Sequence, residues 1–224
     1  MKAAVYYETG SPAVFRYEDV PDPVPGAGEI LIEVEAISIE GGDTLNRLGG
    51  DLARVPHIVG YQAAGTVAEC GDGVTRFAVG DQVVGIGVDG SHAEQRVVGE
   101  GFAWRVPDGL AITEAAAVPI AFGTAHDCLF EFGRLQSGET ALIHAGAGGV
   151  GLAAIQLAKR AGARVLATAS SDERLARLDE FGLDDVADGT LRVVIDRTFP
   201  LSEAAAAHTY IESRQAFGRV LLTP

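Results

Sequence analysis

Three glycines at a fixed spacing form the sequence motif that points most directly to a function. Gly146, Gly148 and Gly151 form a GxGxxG turn between the apolar run TALIHA and the amphipathic run GVGLAAIQLAKRAG. Glycines in such a turn let the backbone approach a phosphate closely, and the amides and dipole of the following helix attract the anion. We therefore expect a dinucleotide pyrophosphate at this turn, held by the helix start at Gly149 and Val150.

The end of the next strand indicates which dinucleotide binds. An acidic residue at that position would bind the ribose hydroxyls of NAD and repel a 2′-phosphate. The sequence has Ala169 there, followed by Ser170 and Ser171, with Arg174 one turn later. This pattern favours NADPH, although the two serines could equally be ordinary helix N-caps.

The elements around the turn form a β-α-β-α segment. TALIHA and ARVLATA predict strands, the helix between them closes at Gly162, and SSDERLARLDEFG predicts a second helix. Upstream, TEAAAVPIAFGTAHDCLFEFG has a helical period, with Thr113 or a neighbour as N-cap and Gly133 after its last apolar position. Downstream, TLRVVIDRTF and GRVLLTP predict strands on either side of a helix that opens at Pro200.

The first 110 or so residues have a different pattern. Short alternating runs are separated by turn clusters such as PDPVPGAGE and CGDGV; the runs are MKAAVYY, EILIEVEAISI, AGTVAEC, DQVVGIG and AEQRVV. Strands of this length with turn residues between them are typical of a β-rich, barrel-like domain. The sequence therefore predicts two domains of different architecture.

Composition limits the partners of this chain. Its 224 residues, 47% of them hydrophobic, suffice for a buried core, and the net charge of −14 argues against nucleic acid. No apolar run reaches membrane-spanning length and the first residues do not resemble a signal peptide, so we expect a cytoplasmic protein without membrane contact. Cys70 and Cys128 form no metal-spaced pair, and the five histidines are scattered, so no metal site is expected.

Taken together, these stretches resemble the zinc-independent quinone oxidoreductase branch of the medium-chain dehydrogenase/reductase superfamily. The similarity extends to PHIVGYQAAGTVAECGDGVTRFAVGDQVVG, VPDGLAITEAAAVPIAFGTAHDCL and DGTLRVVIDRTFPLSEAAAAH. The resemblance implies an α/β protein with a GroES-like catalytic domain, residues 1–120 and 189–224, and a Rossmann nucleotide-binding segment, residues 121–188. It also implies that Thr124 helps to position the nicotinamide amide.

Departures from the family define the catalytic candidates. In the zinc-dependent relatives a Cys ligand would stand near Glu40 and a His ligand near Tyr61, so catalytic zinc is expected to be absent. Glu40 and Leu45 replace the Asn and Tyr of typical quinone oxidoreductases, whereas Asp43 and Arg47 are retained. Glu40 could be a buried general acid/base with a raised pKa, or a solvated loop residue beside a flexible pair of glycines.

The largest departure lies between Phe181 and Leu191. A family member would continue with a third strand and the second βαβ half, but FGLDDVADGTLRVV passes directly to the C-terminal element. The sequence thus predicts a truncated Rossmann domain whose first strand, TALIHA, keeps an unpaired apolar edge. Because such an edge needs a cover, a homo-oligomer is expected.

These features support two classes of function. The first is an NADPH-dependent reductase of quinones or activated enones, which needs no strong catalytic acid because the acceptor is electron-poor. The second is a redox-silent descendant that uses Glu40, Asp43, Arg47 and Tyr61 for an acid/base reaction such as isomerisation, dehydration or cyclisation, or simply binds a small molecule. The intact glycine turn favours the first class and the truncation favours the second.

Overall fold

The computed structural model describes residues 1–52, 54–181 and 193–224, and the chain divides into two units. The first contains Met1–Ala117, Arg197–Gln215 and Val220–Pro224, and the second contains Val118–Asp196 and Ala216–Arg219. The predicted domain limits stay a prediction. The predicted boundary between Phe181 and Leu191 also falls in 182–192, outside the described residues.

The described elements follow the order predicted from the sequence. The strands are β1 (Lys2–Tyr6), β2 (Arg16–Asp19), β3 (Glu29–Ser38), β4 (His57–Ile58), β5 (Gln62–Cys70), β6 (Gln82–Ile86), β7 (Gln95–Gly99), β8 (Ala103–Arg105), β9 (Thr140–Ile143), β10 (Arg164–Ala167), β11 (Ile195–Pro200) and β12 (Arg219–Thr223). The α-helices are α1 (Gly41–Gly49), α2 (Ile112–Ala115), α3 (Pro119–His126), α4 (Gly149–Arg160), α5 (Asp172–Ala176) and α6 (Ala204–Glu212).

Antiparallel strands form the first unit, as its alternating runs predict. Strand β3 lies at the centre of the larger sheet and pairs with β5, β7 and β12. Strand β1 pairs with β2 and β4 in a smaller sheet. The apolar positions of β3, including Ile30, Ile32 and Val34, are buried because successive side chains alternate between the two faces. The β-rich architecture is thereby confirmed.

A parallel strand pair and its crossover helix form the centre of the second unit. Strands β9 and β10 pair in parallel, with Leu142 opposite Leu166, and α4 connects them. Helix α4 buries Leu152 and Ile155 in a cluster with Val165 and other apolar residues. After α4 the chain turns at Gly162, whose φ of 80° is accessible to glycine at little cost. The β-α-β prediction for the glycine-turn segment is confirmed.

Helix limits differ from the predicted ones at three places. The segment from Thr113 to Gly133 is not one helix, because Pro119 begins a new helix after α2. A proline lacks the N–H that a continuous helix would need and is favoured in a first turn. The N-cap was predicted at Thr113 or a neighbour; the N-cap of α2 is Ala111, two residues earlier, so Thr113 itself is not the cap. Helix α5 is also shorter than predicted, because it ends at Ala176 and a 3₁₀ turn follows at Asp179–Phe181.

One face of the parallel strand pair is exposed. Leu142 and Leu166, which are register partners, keep 55% and 43% of their surface accessible. Within the described ranges, β9 pairs with β10 alone. Parallel sheets in α/β proteins are usually covered on both faces, whereas this face has no such cover among the described residues. No described helix has the length and apolar character needed to cross a membrane.

Candidate functional site

The start of α1 holds two of the predicted catalytic residues together. Glu40 is the N-cap of α1, and its backbone N–H donates to Asp43 Oδ2 at 2.8 Å. The Glu40 carboxylate accepts hydrogen bonds from Gln62 Nε2 and from Ser38 Oγ. Glu40 is only 4% exposed, so the interpretation as a solvated residue in a flexible loop is wrong. Both glycines that follow it are helical.

Asp43 is fully buried in the first unit. Burial raises the pKa of its carboxyl well above the usual value, and the Tyr61 backbone N–H and the Arg96 charge only partly oppose this. Asp43 Oδ1 nevertheless lacks a partner within hydrogen-bond geometry in the described chain. A buried carboxyl with a raised pKa and one oxygen without a described partner is a candidate proton donor or acceptor.

The Tyr61 ring lies directly against α1 at Gly42. A Cβ at position 42 would lie 2.7 Å from the Tyr61 hydroxyl oxygen and 2.9 Å from Cζ, so only glycine leaves room for the ring. The Tyr61 carbonyl accepts from Arg96 Nη1 at 2.9 Å and from the Gly87 N–H at 2.8 Å. These bonds fix the backbone of Tyr61, whereas its hydroxyl makes no hydrogen bond to any described residue.

Arg47 has different neighbours from the other three candidates. It is completely buried; Nη1 donates to the Gly10 carbonyl, and Nη2 forms a salt bridge with Glu212. Its Nε donates to His208 Nδ1 at 3.4 Å. The structure thus places Glu40, Asp43 and Tyr61 around the first turn of α1, and Arg47 in a separate network.

That network contains residues that no sequence pattern indicated. His208 Nε2 lies 3.1 Å from His92 Nε2, and His92 Nδ1 lies 3.3 Å from Ser91 Oγ. Burial lowers the pKa of His92 to about 3 and that of His208 to about 2, so both imidazoles are neutral. The two histidines are 116 residues apart, and no local pattern could have paired them.

The glycine turn of the second unit is close-packed where the motif predicts. A Cβ at Gly146 would lie 3.0 Å from Ala167 Cβ, and one at Gly151 would lie 2.7 Å from the Gly146 Cα. Gly148 is the N-cap of α4 without a side-chain cap, and the first turn of α4 has no acidic residue. The amides of Gly149 and Val150 therefore open a twelve-residue helix whose positive end no helix side chain neutralises.

A buried arginine lies beside this helix start. A Cβ at Gly149 would lie 2.6 Å from Arg219 Nη1, so the guanidinium lies against the first turn of α4. Arg219 is 8% exposed, and burial lowers its pKa to about 10. A guanidinium beside the positive end of a helix adds to the attraction of that helix end for an anion such as a phosphate. No sequence pattern indicated Arg219, because it lies far along the chain, on β12.

The residues predicted to contact the ribose lie at the start of α5. Ser171 is the N-cap of α5 and accepts the Arg174 N–H at 3.3 Å, as the alternative interpretation of the serines expected. Ser170 is exposed. Arg174 Nη2 donates to the Ala147 carbonyl at 3.3 Å and to the Ala216 carbonyl at 2.6 Å. The guanidinium therefore faces backbone carbonyls near the glycine turn, and its contact with a 2′-phosphate stays a prediction.

Two other predictions concern Thr124 and metal. Thr124 is exposed on α3, whose buried residues Ala121 and Ala125 face the core, and its role stays a prediction. Among the described residues, no group of three or more His, Cys, Asp and Glu side chains is arranged to hold a metal ion. Cys70 and Cys128 are free thiols.

Known families match most of the chain. Residues 26–108 match the alcohol dehydrogenase GroES-like domain, and residues 119–222 match the family described as zinc-binding dehydrogenase. Erythronolide synthase EryA2 of Saccharopolyspora erythraea is 44% identical over 167 residues, which are 75% of this chain and 4% of that protein. Quinone oxidoreductase of Rattus norvegicus is 35% identical over 177 residues, which are 77% of this chain and 54% of that protein. The chain thus spans about half the length of that oxidoreductase.

Solved structures share the fold over the whole chain. Mycobacterial Rv1454c complexed with NADPH has a TM-score of 0.93 at 26% identity, with 100% of this chain and 100% of that chain covered. The quinone oxidoreductase from Coxiella burnetii has a TM-score of 0.93 at 25% identity, with 100% of this chain and 99% of that chain covered.

Proposed function

Because the chain belongs to the medium-chain dehydrogenase/reductase superfamily and is quinone oxidoreductase-like, we propose that it is an NADPH-dependent reductase of a quinone or an activated enone. The observation that carries the proposal is the glycine turn, built between β9 and α4 with Arg219 against its helix start. The complex of Rv1454c with NADPH supports the cofactor, and the similarity to the quinone oxidoreductase of Rattus norvegicus supports a redox reaction in general terms.

The second unit would hold the dinucleotide. The amides of Gly149 and Val150 and the guanidinium of Arg219 bind the pyrophosphate, where close packing excludes any side chain larger than glycine. Ser170, Ser171 and Arg174 bind the adenosine ribose and its 2′-phosphate, and Thr124 orients the nicotinamide amide. When bound, NADPH supplies two electrons and a proton as a hydride from its nicotinamide ring.

The first unit would hold the acceptor and complete the proton balance. An acceptor that receives a hydride becomes an anion and must gain one proton. The Tyr61 hydroxyl delivers that proton, because it has no hydrogen-bond partner among the described residues and its ring is seated on Gly42. Solvent then reprotonates the tyrosine.

A titration with NADPH tests the cofactor assignment. Arg219→Gln and Arg174→Glu should each weaken NADPH binding about 10- to 100-fold, as expected for a lost charge-assisted bond to phosphate of about 1.5–3 kcal/mol. Arg174→Glu should leave NADH binding unchanged. Arg164→Gln, at the exposed start of β10, is the matched control and should have no effect. Tighter binding of NADH than of NADPH by the unaltered chain would refute the assignment.

An acid/base reaction is a second candidate, and the buried carboxyl of Asp43, whose pKa burial raises, is the observation that favours it. In this case the chain would turn over its substrate without nicotinamide. Asp43→Asn should then reduce turnover more than a bulky substitution at Gly148. Consumption of NADPH with a simple quinone, and no turnover in its absence, would reject this candidate.

Self-association is the partner that we propose for the exposed face of the β9–β10 pair. Leu142 and Leu166 are accessible register partners, and a second copy would cover them and the edge of β9 that no described strand pairs with. Light scattering of Leu142→Lys should show a smaller particle than the unaltered chain, whereas Phe102→Lys, at an exposed position of the first unit, should not. A monomer at all concentrations would contradict the proposal. We also propose the cytoplasm as its location.

A further inference from the structure

The hydrogen bonds of the buried network around Arg47 can run in only one direction, because the guanidinium of Arg47 can donate but not accept. A guanidinium has only donors, so Arg47 Nε can approach His208 Nδ1 only if that nitrogen carries no proton. His208 is neutral and must then be protonated at Nε2. That proton lies between His208 Nε2 and His92 Nε2, which are 3.1 Å apart, so His92 Nε2 must accept it. His92 is therefore protonated at Nδ1 and donates to Ser91 Oγ.

The far end of this chain of hydrogen bonds lies against the backbone next to Tyr61. Gly60 has a φ of 117°, and a Cβ there would lie 2.9 Å from His92 Cε1 and closer still to Ser91 Oγ. The backbone N–H of His92 donates to the Val59 carbonyl at 3.0 Å, and that of Ser91 donates to the Gly60 carbonyl at 3.2 Å. Val59 and Gly60, the two residues before Tyr61, therefore lie against the Ser91–His92 pair.

Helix α1 is connected to Tyr61 in two ways, through direct contact at Gly42 and through the hydrogen bonds that begin at Arg47. Arg47 and Gly42 lie on the same helix, and the Tyr61 ring rests on Gly42. From Arg47 the hydrogen bonds run through His208, His92 and Ser91 to the backbone of Gly60, next to Tyr61. Phe15 shields both imidazoles, with ring centroids 6.2 Å from His92 and 4.7 Å from His208.

We propose that Arg47 is a positioning residue: it selects the Nε2–H form of His208 and the Nδ1–H form of His92, and through Ser91 and Gly60 it places Tyr61 over Gly42. The part that concerns Tyr61 in turnover rests on the proposed function. The part that concerns the two imidazoles does not, because it requires neither cofactor nor substrate.

Nitrogen-15 spectra of the histidine side chains test the assignment in the full chain. In the unaltered protein His208 should be protonated at Nε2 and His92 at Nδ1, with the shared proton coupled to both Nε2 atoms. Variants His126→Gln and His144→Gln remove the signals of two exposed histidines and simplify the spectrum. The opposite tautomer at either His92 or His208, or double protonation of either of these two rings at neutral pH, would overturn the proposal.

Two substitutions separate the role of Arg47 Nε, which donates to His208, from that of Nη2, which forms the salt bridge with Glu212. Arg47→Met removes the donor to His208 and should give a mixture of tautomers at both rings. Glu212→Gln removes the salt bridge but keeps the Nε donor, so it is the matched control and should leave both tautomers unchanged. Unchanged tautomers in Arg47→Met would also overturn the proposal.

A third variant covers the case in which Arg47→Met does not fold. Ser91→Ala keeps Arg47 and therefore both tautomers, and it keeps the backbone hydrogen bond to Gly60, but it removes the hydroxyl that packs against Gly60 and accepts from His92 Nδ1. With NADPH and a quinone, kcat should fall about 10- to 100-fold, the range expected for a displacement of about 1 Å at a reacting group, while the NADPH dissociation constant is unchanged. Unchanged kcat in Ser91→Ala would refute the link to Tyr61. Absence of turnover in the unaltered chain would instead refute the proposed function alone.

Discussion

Replacing Gly42 with alanine tests whether the position of the Tyr61 ring matters. The added Cβ would lie 2.7–2.9 Å from the end of the ring, whereas unstrained carbon contacts are about 3.5–4.0 Å, so the ring must retreat by about 1 Å. A displacement of that size at a reacting group lowers a rate by up to about 100-fold. We therefore expect kcat for quinone reduction to fall about 10- to 100-fold.

Stability should respond differently from turnover. Tyr61 is partly exposed, so its ring can move aside, and alanine stabilises a helix interior by about 1 kcal/mol relative to glycine. The free energy of unfolding in urea should therefore change by no more than about 1 kcal/mol. NADPH affinity, which depends on the glycine turn of the second unit, should not change.

Gly41→Ala is the matched control in the same helical turn. A Cβ at position 41 would meet nothing within 4 Å, so this variant should keep both turnover and fold. Steady-state oxidation of NADPH with a simple quinone compares the two variants, and Tyr61→Phe tests the hydroxyl itself. Equal turnover in Gly42→Ala and Gly41→Ala would refute the role of Tyr61.

Three further predictions concern the fold and metal independence. In Gly60→Ala the added Cβ would overlap Ser91, and the backbone φ of 117° is unfavourable for alanine. This variant should lower the free energy of unfolding in urea by about 3 kcal/mol or more. Gly28→Ala, whose Cβ meets nothing within 4 Å, should lower it by about 1 kcal/mol. Because His92 and His208 stay neutral in the fold, with pKa values of about 3 and 2, the unfolded chain binds more protons below about pH 6.5. The free energy of unfolding should therefore fall as pH decreases from about 6.5 to 3, by about 1.4 kcal/mol per pH unit for each histidine, and a flat profile would show that these pKa values are wrong. Turnover should survive chelators, and stoichiometric zinc in the purified protein would contradict this.

The sequence alone determined the features that depend on neighbours along the chain. The glycine turn, its strand and its helix were predicted correctly because the spacing of the glycines and the apolar periods are properties of one short segment. Most strands of the first unit were predicted for the same reason. The break at Pro119 was missed, although its cause is also local, because the apolar pattern continues across it.

Tertiary structure alone decided the environment of the polar residues. Asp43 and Glu40 were recognised as candidates, but their burial depends on packing that no local pattern encodes. Arg47 was grouped with them, yet it contacts His208, which is 161 residues away. Arg219 reaches the glycine turn from the other end of the chain. A side chain's pKa and partners depend on what surrounds it in space, whereas turns and periods depend on the order of residues, so the sequence predicted the elements and the fold selected the contacts.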